Sequence, residues 1–138
     1  MNSKTYTFID CDSHITEPHD LWKRYLPRSF QSYAPTTALD PSNDREYWYF
    51  GSEKVTGVAA FSWAGWPESF PHTPPTFKDI APACYEAKLR LQWMDDHGCQ
   101  AQVLFPNLIG TAGERCLKVP DAQLGLALLQ AYNTYVAE

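Results

Sequence analysis

The chain has 138 residues, of which 44% are hydrophobic and 20% charged, and its formal net charge is -5 at pH 7. This composition is typical of a globular domain with a real core and excludes an intrinsically disordered chain. The acidic balance and the lack of a clustered basic stretch argue against nucleic acid or an anionic membrane as a partner.

The cysteines and the first residues indicate the compartment. The four cysteines, at positions 11, 84, 99 and 116, show no CxxC or zinc-ribbon spacing. Residues 1–5 lead into a strand-like run without the apolar core of a signal peptide, and no apolar stretch is long enough to span a membrane. We therefore expect free thiols, a cytoplasmic location and no membrane partner.

The first predicted element is a short β-strand over residues 6–11, which are rich in β-branched and aromatic side chains. It is expected to end in the polar cluster Asp12-Ser13-His14. Residues 21–26 predict a short helix that stops before Pro27.

Residues 27 to about 80 are expected to be mostly irregular. Within them, residues 46–56 predict a β-hairpin with its turn near Gly51-Ser52. The proline- and aromatic-rich stretch 63–82 predicts a loop, and a loop of this length is typical of a lid or a binding segment. The alternative is a surface excursion that its aromatic side chains hold in place.

The remainder of the chain predicts a helix, a strand and a second helix. The first helix is expected after Pro82 and ends at Gly98. Its apolar residues at helical spacing are Cys84, Ala87, Leu91 and Met94. Residues 100–106 form an apolar run of strand length. Asp121 is expected to cap the second helix. The predicted apolar face of this helix consists of Leu124, Ala127, Leu128, Ala131, Tyr132 and Tyr135.

This order of elements predicts a parallel sheet, because strands that alternate with helices are joined by right-handed crossovers. Parallel sheets have several strands and are covered on both faces. Two predicted strands therefore leave the sheet incomplete.

Asp12 and His14 are the candidate metal ligands. Side chains two residues apart on an extended strand point to the same side, and the carboxyl end of a barrel strand is where catalytic groups belong. A carboxylate and an imidazole together suit zinc, manganese or iron. By itself, however, such a triplet more often caps a turn or bonds the backbone. Asp10 has the same spacing from Asp12, but we do not expect it to be a ligand.

Several segments resemble a known family. The string FIDCDSHITEP at 8–18, with the DLW that follows at 20–22, is similar to the opening of the amidohydrolase-related family. This is the branch of the amidohydrolase superfamily that includes the aminocarboxymuconate-semialdehyde and resorcylate decarboxylases. Residues 87–95 resemble that family's helix before its second strand, and residues 98–106 resemble the second strand and the proline after it. Ala131-Tyr132-Asn133 with Glu138 resembles the next helix. The resemblance is weakest between residues 30 and 80.

The resemblance implies a (β/α)8 barrel with one divalent metal, usually zinc or manganese. Asp12 and His14 take the places of the first-strand ligands, and the family completes the site with a His and an Asp from later strands. Glu17 is expected to orient a metal ligand; the alternative is that its carboxylate bonds backbone amides in the Glu17-Pro18 turn. The other histidines, His19, His72 and His97, are not expected to bind the metal.

A (β/α)8 barrel needs about 250 residues, so residues 1–138 are predicted to be the N-terminal part of a TIM barrel. They would supply its first two β/α units, with a long insertion at about 27–80 that contains the hairpin. The implied activity is metal-dependent hydrolysis or non-oxidative decarboxylation of a small carboxylated or cyclic substrate, and the chain alone is expected to be inactive. We expect a homo-oligomer or association with the missing barrel half, because an uncovered apolar face favours association.

Two alternatives remain open. The chain is alternatively a small binding module without catalytic activity, in which aromatic residues line a groove for a planar ligand. These residues are Trp48, Trp63, Trp66, Phe70 and Phe77. The other alternative is an assembly subunit that is completed by a second chain.

Overall fold

The structure is a computed structural model that describes residues 7–138. The strands are β1 (Phe8–Ile15), β2 (Thr36–Asp40), β3 (Arg45–Phe50), β4 (Glu53–Gly57) and β5 (Cys99–Pro106). The α-helices are α1 (Leu21–Tyr25), α2 (Ala87–His97) and α3 (Ala122–Ala137). Short 3-10 helices cover Arg28–Tyr33, Phe77–Asp79, Pro82–Cys84 and Glu114–Lys118. Over residues 7–138, no helix is long and apolar enough to cross a membrane.

Strands β1 and β5 pair in parallel, as the alternation of strands and helices predicts. Strand β1 continues to Ile15, so the expectation that it ends at Cys11 is wrong. The polar residues remain in the strand because Ser13 pairs with Leu104 and His14 pairs with Phe105. The candidate ligands therefore lie on the last residues of the strand itself.

Helix α2 begins later than its apolar spacing predicts. Cys84 lies in a separate 3-10 turn, and Glu86 has extended backbone angles (φ -102°, ψ 110°) that interrupt the helix before Ala87. The predicted end is confirmed: Gly98 has φ 70° and ψ 26°, a left-handed conformation that glycine adopts without a steric penalty.

Helix α3 agrees with its prediction at its start and on its buried face. The Asp121 side chain accepts hydrogen bonds from the amides of Gln123 (2.8 Å) and Leu124 (3.4 Å), which otherwise have no partner in the first turn. Tyr135 is half-buried, and the other five predicted apolar positions are buried. Amphipathic packing thus stabilises this helix more than its intrinsic propensity does.

The middle of the chain forms a three-stranded antiparallel sheet in the order β2-β3-β4, with Gly51 and Ser52 between β3 and β4. Strand β2 was not expected from the sequence, which predicted an irregular segment there. Its residues pair along the whole of β3, from Thr36 opposite Tyr49 to Asp40 opposite Arg45. Residues 61–76 contain neither helix nor strand.

One hydrophobic core joins these elements. Its largest fully buried side chains include Trp22 from α1, Trp48 from β3, Leu128 from α3, and Leu108 and Ile109 from the loop after β5. Because these residues come from both ends and the middle of the chain, the core holds the antiparallel sheet and the β1–β5 sheet in one domain.

Candidate functional site

Asp12 and His14 lie close together near the carboxyl end of β1. His14 Nε2 is 3.8 Å from Asp12 Oδ1, and the side chain of Asp12 is 84% exposed while that of His14 is 14% exposed. The pairing of β1 with β5 is irregular between Asp10 and Ser13, as in a β-bulge. Strict strand alternation, on which the sequence prediction relied, therefore does not explain why the two side chains meet.

Two aromatic rings hold the imidazole of His14. Phe61 stacks on it with ring centroids 4.8 Å apart and planes 19° apart, and Phe105 lies 5.9 Å away at 46°. His14 Nδ1 is buried and has no hydrogen-bond partner among the residues of the described structure. A buried ring nitrogen without a partner costs free energy. It is not the nitrogen that faces Asp12, which is Nε2.

The two side chains fit part of a metal site. Two ligands about 2.1 Å from a tetrahedral zinc ion lie about 3.4 Å apart, close to the 3.8 Å between His14 Nε2 and Asp12 Oδ1. No cluster of three or more His, Cys, Asp or Glu side chains that could hold an ion exists within residues 7–138. This part of the chain therefore offers two donors, and a complete site needs others from elsewhere.

A cavity of about 300 Å³ adjoins these donors. Its lining includes Asp12, His14, Phe61, Cys84, Arg90 and Trp93. The wall is largely apolar and carries a few charged groups, as in most small-molecule sites.

Arg90 is the cationic group of this cavity. It is half-buried, and burial lowers the pKa of its guanidinium below the usual value. Its nitrogens contact no carboxylate within 4 Å in the part of the chain that the structure describes. Carbonyl and other neutral oxygens accept its hydrogen bonds instead.

Among the described residues, the Glu17 carboxylate makes no hydrogen bond to Asp12 or His14. Its Oε1 accepts hydrogen bonds from the main-chain amides of Asn107 (3.0 Å) and Leu108 (2.8 Å). The carboxylate thus bonds backbone amides of the loop after β5, and the main-chain amide of Glu17 itself also favours its charged form. The side chain is fully buried, and burial raises its pKa to about 7, against the opposing effect of the backbone hydrogen bonds.

Asn107 extends this buried polar cluster. Its Nδ2 donates to Ser62 Oγ (2.7 Å) and to Thr16 Oγ1 (3.4 Å). With Glu17, the cluster ties together the loop after β1, the loop after β5 and the middle segment next to Phe61. Of these segments, the middle one lines the cavity through Phe61 and Ser62, so the cluster supports that part of the cavity wall.

The other histidines have separate surroundings. His19 Nε2 is 3.0 Å from Glu46 Oε1 on β3. His97 Nδ1 is 2.8 Å from the carbonyl oxygen of Trp93, and His72 Nδ1 is 3.2 Å from that of Ser69. The structure brings none of the three into the cavity beside His14.

The aromatic residues considered for a ligand groove do not line one surface. Trp48 is fully buried in the core. Phe77 packs on Tyr85 with centroids 4.7 Å apart, whereas Trp63 and Phe70 form an exposed pair 6.0 Å apart. The predicted groove is therefore wrong in its composition, because β3 turns Trp48 into the core.

Sequence reasoning missed three residues of the site: Phe61, Arg90 and Asn107. A signal existed for Arg90, which lies three residues after Ala87 and four before Met94, on the face of α2 predicted to be apolar. A lone charge on such a face indicates a specific partner. No local pattern marks Phe61 or Asn107, which reach the site from loops.

Comparison with known proteins identifies a solved structure with a similar fold. No family model matches the sequence, and no curated protein matches it significantly. Among solved structures, the chain is similar to an amidohydrolase from Mycobacterium avium subsp. paratuberculosis K-10, with a TM-score of 0.62 and 19% sequence identity. The match covers 97% of this chain and 38% of that protein.

The chain has a mixed α/β fold that matches part of the fold of a solved amidohydrolase. At 19% identity the similarity shows the fold alone, and the chain spans 38% of the length of the solved amidohydrolase. The predicted fold class is confirmed at this coarser level. The decarboxylase branch, the metal and its ligands stay predictions.

Proposed function

We propose that residues 1–138 are the N-terminal part of a metal-dependent (β/α)8-barrel enzyme of the amidohydrolase type. Asp12 and His14 bind a divalent metal, zinc or manganese, and the enzyme hydrolyses or decarboxylates a small carboxylated or cyclic substrate. The segment from about 27 to 80 is an insertion after the first barrel strand. The observation that carries this proposal is the 3.8 Å approach of His14 to Asp12 in a fold that matches part of an amidohydrolase.

The β1–β5 sheet supports the view that further strands complete the domain. Ile9 on β1 and Val103 on β5 are 60% and 46% exposed, although both lie on parallel strands. Parallel strands are normally buried on both faces. We infer that these residues are covered by the remaining barrel strands, by a second copy or by a separate subunit, and that residues 1–138 alone are inactive.

In this proposal the residues of the chain prepare the site for chemistry. The metal would polarise a substrate oxygen or lower the pKa of a bound water so that it becomes a nucleophile. Asp12 and His14 hold the metal, while Phe61 and Phe105 restrict the rotation of the His14 ring. Glu17 ties the loop after β1 to the loop after β5.

Metal binding by the protein tests the proposal. Zinc and manganese affinities are measured by isothermal titration calorimetry for the wild type, Asp12→Asn and His14→Gln. We expect each substitution to weaken binding at least about tenfold, because it removes one direct ligand. His72→Gln, in an exposed loop, is the control and should bind as the wild type does. Equal affinities in all four proteins would exclude Asp12 and His14 as ligands.

A product assay then separates hydrolysis from decarboxylation. The complete, zinc-loaded protein is incubated with small aromatic carboxylic acids and with cyclic amides or lactones. Release of carbon dioxide supports the decarboxylase assignment, whereas ring opening with uptake of water supports hydrolysis. Turnover that persists equally in His14→Gln would argue against a role for this metal site in either reaction.

A further inference from the structure

Helix α2 reaches strand β1 through the side chain of Arg90. Arg90 Nη2 donates hydrogen bonds to the carbonyl oxygens of His14 (2.8 Å) and Cys84 (3.2 Å). The first of these bonds fixes the peptide plane that follows the His14 side chain. The second ties the 3-10 turn before α2 to the same guanidinium, whose planar fork offers five donors in a rigid arrangement.

The second terminal nitrogen of Arg90, Nη1, is connected to the segment of β1 that precedes the irregular pairing. Arg90 Nη1 donates to Gln102 Oε1 (3.0 Å) and lies 3.5 Å from Ser13 Oγ. Gln102 Nε2 in turn donates to Asp10 Oδ2 (3.3 Å). One guanidinium therefore contacts β1 after the bulge directly and before the bulge through one intermediate side chain.

This connection continues to Asp12. Cys11 and Asp12 have no direct partners on β5, because the register shifts between Asp10 and Ser13. The Asp12 amide donates instead to Asp10 Oδ1 at 3.1 Å. The position of Asp12 thus depends on Asp10, and Asp10 is held by Gln102, which Arg90 holds.

The burial of Arg90 argues against a role in packing alone. A half-buried guanidinium without a carboxylate partner carries a desolvation cost that an apolar side chain of similar length would avoid. The hydrogen bonds offset that cost only if the fork keeps its geometry. Unlike an apolar side chain, arginine at this position holds the segments of β1 before and after the bulge at the same time.

We propose that Arg90 is a positioning residue that sets the separation and direction of the Asp12 and His14 side chains. It acts through its hydrogen bond to the His14 carbonyl oxygen and through the Gln102–Asp10 connection. This inference rests on the proposed function, in which Asp12 and His14 bind a divalent metal. It adds a residue from the helix to a site otherwise built from the strand.

The experiment compares Arg90→Lys and Arg90→Met with the wild type. Lysine keeps the charge but loses the fork, whereas methionine keeps much of the apolar stem and avoids a buried charge. Met94→Ala, on the same helix but outside the cavity, is the control for loss of stability alone. Arg28→Lys, at an exposed position, is the control for the chemical exchange.

Two measurements are made on each protein. The amide resonances of Asp12 and His14 and the ring nitrogen resonances of His14 are recorded by NMR without metal. Zinc affinity is then measured by calorimetry at one pH. We expect both Arg90 variants to shift or broaden the Asp12 and His14 signals. We also expect them to weaken zinc binding about 10- to 100-fold, as substitutions of residues that hydrogen-bond to metal ligands do. Met94→Ala and Arg28→Lys should leave both readouts near the wild type.

The outcomes separate the two proposals. Unchanged Asp12 and His14 resonances in Arg90→Lys and Arg90→Met overturn the positioning role, whatever the zinc affinity. A complete wild-type protein, with the ligands that lie outside residues 1–138, that does not bind zinc or manganese would sink the proposed function, and the metal-free resonances would still decide whether Arg90 positions the two side chains. Equal weakening of zinc binding in Met94→Ala would reduce the Arg90 effect to a loss of stability and so contradict the proposal.

Discussion

The carboxylate of Glu17 accepts a hydrogen bond from the main-chain amide of Asn107, which lies 90 residues further along the chain. The donor–acceptor distance is 3.0 Å, and the whole contact is buried. It joins the loops that follow the two parallel strands. The stability of this end of the domain therefore depends on a single ionisable side chain, whose pKa is raised from 4.5 to about 7 by burial.

Glu17→Gln should remove a pH dependence of stability. The folded state binds the Glu17 proton more tightly than the unfolded state, so this contribution is fully present below pH 4.5 and is lost as the pH rises through about 7. A shift from 4.5 to about 7 corresponds to roughly 3 kcal/mol. Urea unfolding between pH 4 and 8 measures it. Glu68→Gln, an exposed change, is the control, and an unaltered pH slope in Glu17→Gln would contradict the prediction.

The thiols should differ strongly in reactivity. Cys11 is exposed, while Cys84, Cys99 and Cys116 are buried. Burial raises the pKa of the Cys84 thiol and raises that of Cys116 to about 11, so little reactive thiolate forms at neutral pH. With a thiol reagent such as Ellman's, we expect one fast equivalent in the native protein and four in denaturant. Cys11→Ser should abolish the fast phase; more than one fast thiol would show that the buried positions are accessible.

Gly125→Ala should destabilise the packing of α3. A Cβ atom at this position would lie 2.4 Å from the carbonyl oxygen of Cys116, so the helix would have to move away from the 3-10 helix Glu114–Lys118. Overpacking of this kind costs about 1–3 kcal/mol. Gly57→Ala is the matched control, since the nearest atom to its added Cβ is 3.9 Å away. Equal unfolding free energies for the two variants in urea would contradict the close contact.

Removal of the cap of α3 should also lower stability. Asp121→Ala leaves the amides of Gln123 and Leu124 without their side-chain acceptor, and such a loss costs about 1 kcal/mol. Asp121→Asn retains a capping oxygen and should keep most of this stability. Thermal unfolding followed by circular dichroism compares the three proteins. If Asp121→Asn loses as much as Asp121→Ala, the charge and not the cap is the source of the effect.

The candidate site was predictable in part from the sequence. The spacing of Asp12 and His14 and the resemblance of residues 8–18 to a family selected both residues, and the structure brings their side chains together. Whether they bind metal stays a prediction. The supporting residues Arg90, Phe61 and Asn107 were missed because they act through contacts between distant segments, such as the 76 residues that separate Arg90 from His14.

Local chemistry determined what the sequence alone revealed about the fold. The Asp121 cap, the left-handed Gly98, the apolar face of α3 and the parallel order of β1 and β5 each follow from patterns within a few turns of chain or from the alternation of elements. Only the tertiary structure decided that β2 is a strand and that β1 runs through His14. It also decided that Trp48 is buried and that Glu17 bonds the loop after β5. The physical reason is the same in each case: pairing, burial and desolvation depend on partners from distant parts of the chain, and no local spacing specifies them.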